Sequence, residues 1–218
     1  MKRTEVLEAT VSYIKQRLGR ETNGRDWWHV WRVWQMAKKI AATEPTADLF
    51  TVELAALTHD LAHWQLSGDG EHTGPREVAD LLKDLDVNAK TTTHVQRIIR
   101  DTKFKGSMVK PQLSGIEAKI IHDADKLDSL GALGIAKTFT YGGTHERPLY
   151  DPAIPHGIHA SLGAYKSGDT TSINHFYEKN LLLKDRMQTK KGRNISIKRH
   201  EFLEQYLEEF YAEWSGRR

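Results

Sequence analysis

A histidine and an aspartate stand side by side at positions 59 and 60, at the end of an apolar helical run, and both side chains can bind a metal ion. His59 offers an imidazole nitrogen and Asp60 a carboxylate oxygen, a mixed ligand set that suits Mn, Fe, Co, Ni or Zn. Further candidate ligands flank this pair along the chain: His29 upstream, and Asp123 and Asp125 downstream. The sequence therefore predicts a metal site that supports hydrolysis.

The composition excludes several other kinds of chemistry. The 218 residues contain no cysteine, which excludes disulfides, thiolate nucleophiles and zinc sites built on cysteine. Any metal must be held by nitrogen and oxygen atoms, and we expect it to activate a reaction rather than to brace the fold. A hydrophobic content of 39% is ample for a buried core. The formal net charge of +3 is mild, so charge alone does not indicate a polyanionic partner.

No apolar run approaches the roughly 18 residues that a helix needs to cross a bilayer. The N-terminal segment has the pattern of a charged amphipathic helix and lacks the apolar core of a signal peptide. We therefore expect a cytoplasmic protein with no membrane partner.

The elements that must position the candidate ligands all have helical periodicity, and no segment alternates convincingly with period two. The fold is therefore expected to be all-α. Asp26 is a good N-cap, which places His29 in the first turn of the second helix. His59 and Asp60 fall at the C-terminal end of the third. The predicted helices are one closed by Gly19, Trp27–Ala42, about Leu49–Ala62, one beginning at Pro75, one around His94–Ile99, a long one from Ile116 past Leu130 towards Tyr141, Ile173–Leu183, and Ile195–Trp214.

We expect these helices to form a single domain over residues 1–218. Its core spans about residues 20–141, and C-terminal helices within residues 171–214 pack on it. Residues 142–170, rich in Gly, Pro and His, are far longer than an ordinary connection between helices. Such a length is typical of a functional lid or a disordered segment.

Four segments of the chain carry a resemblance to a known family. They are DWWHVWRV from Asp26, ELAALTHD from Glu53, HDADKLDSLGALGIA from His122, and NHFYEK from Asn174. Their order resembles the H…HD…D signature of the HD-domain metal-dependent phosphohydrolases, and more closely the small bacterial subfamily of YpgQ-like and YedJ-like proteins. The similarity runs from about Asp26 to Trp214, and it implies an HD-domain helical bundle with additional C-terminal helices.

The resemblance implies that His29, His59, Asp60 and Asp125 bind a divalent cation, which is Mn, Ni, Co, Fe or Mg. Asp125 is preferred because it matches the Ala-Asp-x-Leu pattern that supplies the last ligand in related enzymes. Asp123 is the alternative ligand, or a partner that orients a ligand histidine. The two aspartates project about 200° apart on an ideal helix, so normally only one of them faces the metal.

Hydrolysis of a phosphate ester or anhydride also needs positive charge near the developing phosphoryl oxygens. Arg32 is the best candidate, because a residue three positions after His29 shares its helix face. Lys126, directly after Asp125, is the second.

Other side chains are candidates for substrate contact. Lys105 lies in a Phe-Lys-Gly loop, and Lys179 and Lys184 match positions that are charged in the family, although a solvated helix face also explains those two. Trp28 and Trp64 are candidates for stacking on a base.

The chain departs from the family at one position. Many relatives carry an acidic residue four positions after the metal-binding histidine, where this chain has His63. If that acid assists as a base, either His63 replaces it or the mechanism differs. The stringent-response hydrolases carry paired acids shortly after their His-Asp pair. Residues 61–65 contain none, which disfavours hydrolysis of guanosine tetraphosphate.

The leading hypothesis is a divalent-metal-dependent phosphohydrolase that acts on a small phosphorylated substrate. A nucleotide is favoured, because the related subfamily resembles nucleoside triphosphate pyrophosphohydrolases. A nucleotide phosphatase or a phosphodiesterase would use the same four ligands. An alternative of another class is a non-catalytic, metal-containing helical binding module. The basic residues between Lys190 and Arg199 accompany no motif that reads nucleic acid, so such a partner is not expected. A homodimer is left open.

Overall fold

The computed structural model describes residues 1–19, 26–61, 70–102, 111–157 and 170–218, with the backbone alone for residues 70–74. Within these ranges helices are the sole regular secondary structure, which confirms the all-α class. They are α1 (Arg3–Leu18), α2 (Trp27–Ala41), α3 (Leu49–Thr58), α4 (Gly70–Asp84), α5 (Ala89–Thr102), α6 (Ile116–Leu127), α7 (Gly131–Thr144), α8 (Ser172–Glu178), a 3₁₀ helix (Asn180–Arg186) and α9 (Lys190–Trp214).

None of the described helices is both long enough and apolar enough to span a lipid bilayer. The described residues form two compact units. The first contains residues up to 102 together with 111–124, and the second contains residues 125–157 and 170–218. The predicted single-domain organisation and the cytoplasmic location stay predictions.

Helix α3 is the central element of the first unit, where it packs against α1, α2 and α5. From Phe50 to Thr58 every residue except Glu53 is buried. A helix that is apolar on all sides is stable only inside a core. Complete burial of Leu54 and Leu57 stabilises this packing by about 1.5–3 kcal/mol for each side chain. The position at which α3 ends is therefore set by its neighbours on every side.

Polar contacts of one buried carboxylate fix the start of α6 within the same unit. The Glu117 carboxylate is buried, and its Oε1 accepts a hydrogen bond from the backbone N–H of Asp48 at 3.0 Å. Its Oε2 lies 3.7 Å from Nε2 of His94. Asp48 in turn accepts a 2.6 Å hydrogen bond from the Thr51 hydroxyl in the first turn of α3. The first turns of α3 and α6 are thus tied together.

Helix α7 is the central element of the second unit, where it packs against α8 and α9. The side chain of Asn180 donates hydrogen bonds to the Ser129 carbonyl at 2.9 Å and to the Thr138 hydroxyl at 3.2 Å.

In α8, burial lowers the pKa of His175 well below its usual range, and the cations of Lys179 and Arg147 add to that effect. The His175 imidazole is therefore neutral at pH 7.

The prediction of one long helix from Ile116 towards Tyr141 is wrong. Helix α6 ends at Leu127, and a separate helix, α7, begins at Gly131. Gly131 adopts a φ of +69°, which favours glycine over residues with a side chain. The side chain of Arg199 packs against this glycine, about 3.2 Å from the place that a Cβ atom would occupy. The break is thus a turn that only a glycine fits well.

Other helix boundaries also differ from the prediction. Helix α4 begins at Gly70, so Pro75 lies inside it rather than at its start. The helix predicted over Ile173–Leu183 is instead a short α-helix followed by a 3₁₀ helix, with the change at Lys179, whose φ of −143° is not helical. The last helix starts earlier than predicted, at Lys190, because the Thr189 hydroxyl caps it by accepting from the N–H of Gly192 at 3.0 Å.

We predict that Asp26→Ala destabilises the start of α2. Asp26 Oδ1 accepts a 2.9 Å hydrogen bond from the backbone N–H of His29, and loss of such a cap costs about 1 kcal/mol. Urea denaturation should report this loss, whereas Asp26→Asn, which keeps the accepting oxygen, should retain most of the stability. Equal stability of Asp26→Ala and the wild type would contradict the assignment.

Candidate metal centre

The first candidate ligand is placed by the capped start of α2. The hydrogen bond from the N–H of His29 to Asp26 starts the helix at Trp27 and puts His29 in its first turn, as predicted. The imidazole of His29 is only 1% exposed. A polar ring with so little access to water needs partners inside the protein, and these come from the end of α3.

Helix α3 ends at Thr58, four residues before the predicted end near Ala62, and His59 and Asp60 follow it directly. The ring of His59 is held by its own helix, because Nδ1 lies 2.7 Å from the carbonyl oxygen of Ala56. A carbonyl oxygen can only accept, so Nδ1 carries the proton and donates it. The lone pair of His59 is therefore on Nε2, the tautomer in which a histidine can bind a metal through Nε2.

Donor atoms of three residues converge at this point of the first unit. Nε2 of His59 lies 3.3 Å from Nε2 of His29. The Asp60 carboxylate, which is also buried, faces both rings: Oδ2 lies 3.2 Å from Nε2 of His29 and Oδ1 lies 3.7 Å from Nε2 of His59. Neighbouring ligands about 2.1 Å from one ion are about 3 Å apart. The three residues therefore have the spacing and the donor atoms that fit a divalent cation.

Helix α6 carries the remaining candidate ligands. One carboxylate oxygen of Asp125 and one ring nitrogen each of His29 and His59 lie within 4.8 Å of one another, a group that could hold a metal ion. Asp125 is followed by a buried lysine, Lys126, whose Nζ lies 2.8 Å from Asp125 Oδ2. The choice of Asp125 over Asp123 as a ligand stays a prediction.

Asp123 takes part in a different contact. It is fully buried, and its Oδ1 lies 3.1 Å from Nδ1 of His122, which is also buried. His122 was not among the residues predicted for the site. The sequence does contain a signal that could have identified it, because residues 122 and 123 repeat the His-Asp order of residues 59 and 60.

The residues proposed for substrate contact have diverse surroundings. Trp28 is 59% exposed, directly before His29, and Arg32 is half-buried one turn further along α2. Lys179 and Lys184 are half-buried residues of the second unit. His63, Trp64 and Lys105 lie outside the described residues.

Three comparisons relate the chain to known proteins. The family model described as HD domain matches residues 27–130. The YpgQ protein of Bacillus subtilis is 34% identical over 218 residues, which cover 99% of this chain and 97% of that protein.

Solved structures agree with that result. An HD-superfamily hydrolase from Bacillus thuringiensis is 37% identical with a TM-score of 0.76, over 98% of this chain and 99% of its own. The structure of Bacillus subtilis YpgQ in complex with ADP is 31% identical with a TM-score of 0.74, over 95% of this chain and 97% of its own. The similarity thus covers both units, well beyond the segment that the family model matches.

We predict that substitution of either residue at the end of α3 abolishes tight metal binding. Metal-stripped wild type should bind about one Mn²⁺ per chain. His59→Ala or Asp60→Ala should weaken Mn²⁺ binding by about 100-fold or more, because each variant lacks one of the four predicted metal ligands. Isothermal titration calorimetry measures both values. His145→Ala is a matched control, because its ring is exposed and stacks on Tyr141. Equal affinities of His59→Ala and His145→Ala would contradict the site.

Proposed function

The chain belongs to the HD-domain family, and from this premise we propose that it is a divalent-metal-dependent phosphohydrolase whose substrate is a nucleotide. The observation that carries the proposal is the convergence of His29, His59 and Asp60, whose donor atoms lie 3.2–3.7 Å apart. The HD-superfamily hydrolase from Bacillus thuringiensis shares the fold at 37% identity, which supports the reaction class.

In this proposal the metal is held by His29, His59, Asp60 and Asp125. A divalent cation bound there would supply positive charge against phosphoryl oxygens and make a bound water more acidic. The residues around it have distinct tasks. The Ala56 carbonyl keeps the proton of His59 on Nδ1, and burial of His29 and Asp60 excludes bulk water from their ligand atoms.

Lys126 is proposed to provide fixed positive charge next to the reacting phosphate. Its ammonium is buried and contacts Asp125 at 2.8 Å. A charge in such a place stabilises developing negative charge more than one in water does, because the local dielectric constant is lower. Arg32, half-buried one turn after His29, is proposed for the same task.

The nucleotide substrate is supported by the solved complex of YpgQ with ADP. Trp28 is proposed to stack on the base, because an exposed indole directly before a metal ligand offers a flat apolar surface. Lys179 and Lys184, with Lys105, His63 and Trp64 from outside the described residues, are proposed as further substrate or proton-transfer contacts. The proposed reaction is that of a nucleoside triphosphate pyrophosphohydrolase, which releases a nucleoside monophosphate and pyrophosphate.

We predict metal-dependent release of pyrophosphate from nucleoside triphosphates. Metal-stripped protein should be inactive, and added Mn²⁺, Co²⁺, Ni²⁺ or Mg²⁺ should restore turnover. Asp60→Ala should lower kcat/KM by at least about 10²-fold through loss of a ligand, and Lys126→Met should do so by about 10²-fold through loss of charge. Separate assays for phosphate and pyrophosphate identify the bond that is cut.

Lys90→Met, which removes an exposed lysine of α5, is the matched control and should keep full activity. Release of phosphate alone would indicate a phosphatase, and cleavage of diesters alone a phosphodiesterase. Metal binding without turnover of any substrate would contradict the proposal in favour of a binding module.

A further inference from the structure

The charges of α9 are separated along its length. Its first ten residues carry basic side chains and no acidic ones, and the rest of the helix carries acidic side chains and no lysine or arginine. The basic residues are Lys190, Lys191, Arg193, Lys198 and Arg199, and the acidic ones are Glu201, Glu204, Glu208, Glu209 and Glu213.

This order is unfavourable for an isolated helix. The helix macrodipole places partial positive charge at the N-terminus, where acidic side chains are stabilising, and partial negative charge at the C-terminus, where basic ones are stabilising. Helix α9 has no acidic residue in its first turn and no basic residue in its last. Like charges also stand four residues apart, at Glu204 and Glu208, which is mildly destabilising. The separation of charge therefore indicates a compensating partner.

The described part of this chain places few opposite charges beside the charged side chains of α9. Lys190, Lys198, Glu201 and Glu208 are exposed and form no ion pair with the described residues. Glu204 has one weak contact, 3.3 Å from Nε2 of His200 on its own helix. These exposed side chains are therefore available to opposite charges on another molecule.

Six exposed residues of α9 form one continuous stripe. Positions 190, 193, 197, 201, 204 and 208 are all exposed and follow one another at spacings of three or four residues. Side chains at this spacing lie on one face of an α-helix. The stripe is basic in its first half and acidic in its second, and Ile197, 42% exposed, lies near its middle.

We propose that this stripe binds the same stripe of a second copy of the chain, with the two α9 helices antiparallel about a twofold axis near residue 199. Lys190 and Glu208 each lie nine residues from that position, and Arg193 and Glu204 lie six and five residues from it. Each basic side chain then faces an acidic side chain of the other copy at nearly the same height, because both helices rise about 1.5 Å per residue.

The same arrangement accounts for the other features of the stripe. Ile197 and Glu201 lie two residues on either side of the axis, so the two Ile197 side chains flank it, each at the height of Glu201 of the other copy. The macrodipoles run in opposite directions, which places each helix N-terminus beside the C-terminal half of the other. A polyanion such as nucleic acid would meet the acidic half of the same stripe, and this disfavours it as the partner.

Charge reversal tests the proposal. Analytical ultracentrifugation of the full chain should detect a dimer at about 0.05 M salt, with a dissociation constant at least about tenfold weaker at about 0.5 M salt because of screening. Lys190→Glu/Arg193→Glu and Glu204→Lys/Glu208→Lys should each be monomeric, because position 190 then faces position 208 of the other copy, and position 193 faces position 204, with the same sign of charge. An equimolar mixture of the two double variants should form dimers again, because every facing pair regains opposite signs.

Lys39→Glu/Lys90→Glu, at exposed positions of the first unit, is the matched control and should dimerise like the wild type. Far-UV circular dichroism and the melting temperature verify folding of each variant, and Lys190→Glu/Arg193→Glu should be no less helical because it also suits the macrodipole. A wild type that is monomeric at low salt, or a mixture that stays monomeric, would overturn the proposal. Binding of a DNA duplex that Lys190→Glu/Arg193→Glu abolishes, with no dimer, would overturn it in favour of a polyanion partner.

Discussion

The end of α3 is the constraint on which the candidate centre depends. On a continuous helix, neighbouring residues point about 100° apart, so adjacent side chains do not share a target. Helix α3 stops at Thr58, and beyond it the ligand atoms of His59 and Asp60 approach within 3.7 Å of each other. Burial of α3 on all sides fixes where it stops. The apolar character of one helix thus places two adjacent polar groups at one point.

Electrostatics explains why that point suits a cation. The Asp60 carboxylate is buried, and the lone pair on His59 Nε2 faces His29. A buried negative charge is stable only beside positive charge, and a buried lone pair needs a hydrogen-bond donor or a cation. Lys126 supplies one such charge at Asp125, on α6, and a divalent ion among the histidines and Asp60 would supply a larger one. The residues that favour metal binding are therefore also those that would be least stable without a positive charge.

Much of this arrangement was predictable from local patterns. Asp26 marked the start of α2, and the His-Asp pair after an apolar run marked the end of α3, so two of the ligand-bearing segments were located correctly. The break between α6 and α7 was missed, because apolar periodicity continues through Gly131 and its positive φ depends on the packing of Arg199 from a distant helix. The contact of Lys126 with its neighbour Asp125 was also not predicted, because adjacent residues of a helix do not normally face each other.

The most direct test of the account is a crystal structure of the protein with Mn²⁺, in which anomalous scattering locates the ion. We expect a single strong peak about 2.0–2.3 Å from Nε2 of both His29 and His59, with carboxylate oxygens of Asp60 and Asp125 completing the protein ligands. The Nδ1 atom of His59 should still donate to the Ala56 carbonyl. A protein that holds Mn²⁺ elsewhere, or that binds it through Nδ1 of His59, would contradict the account.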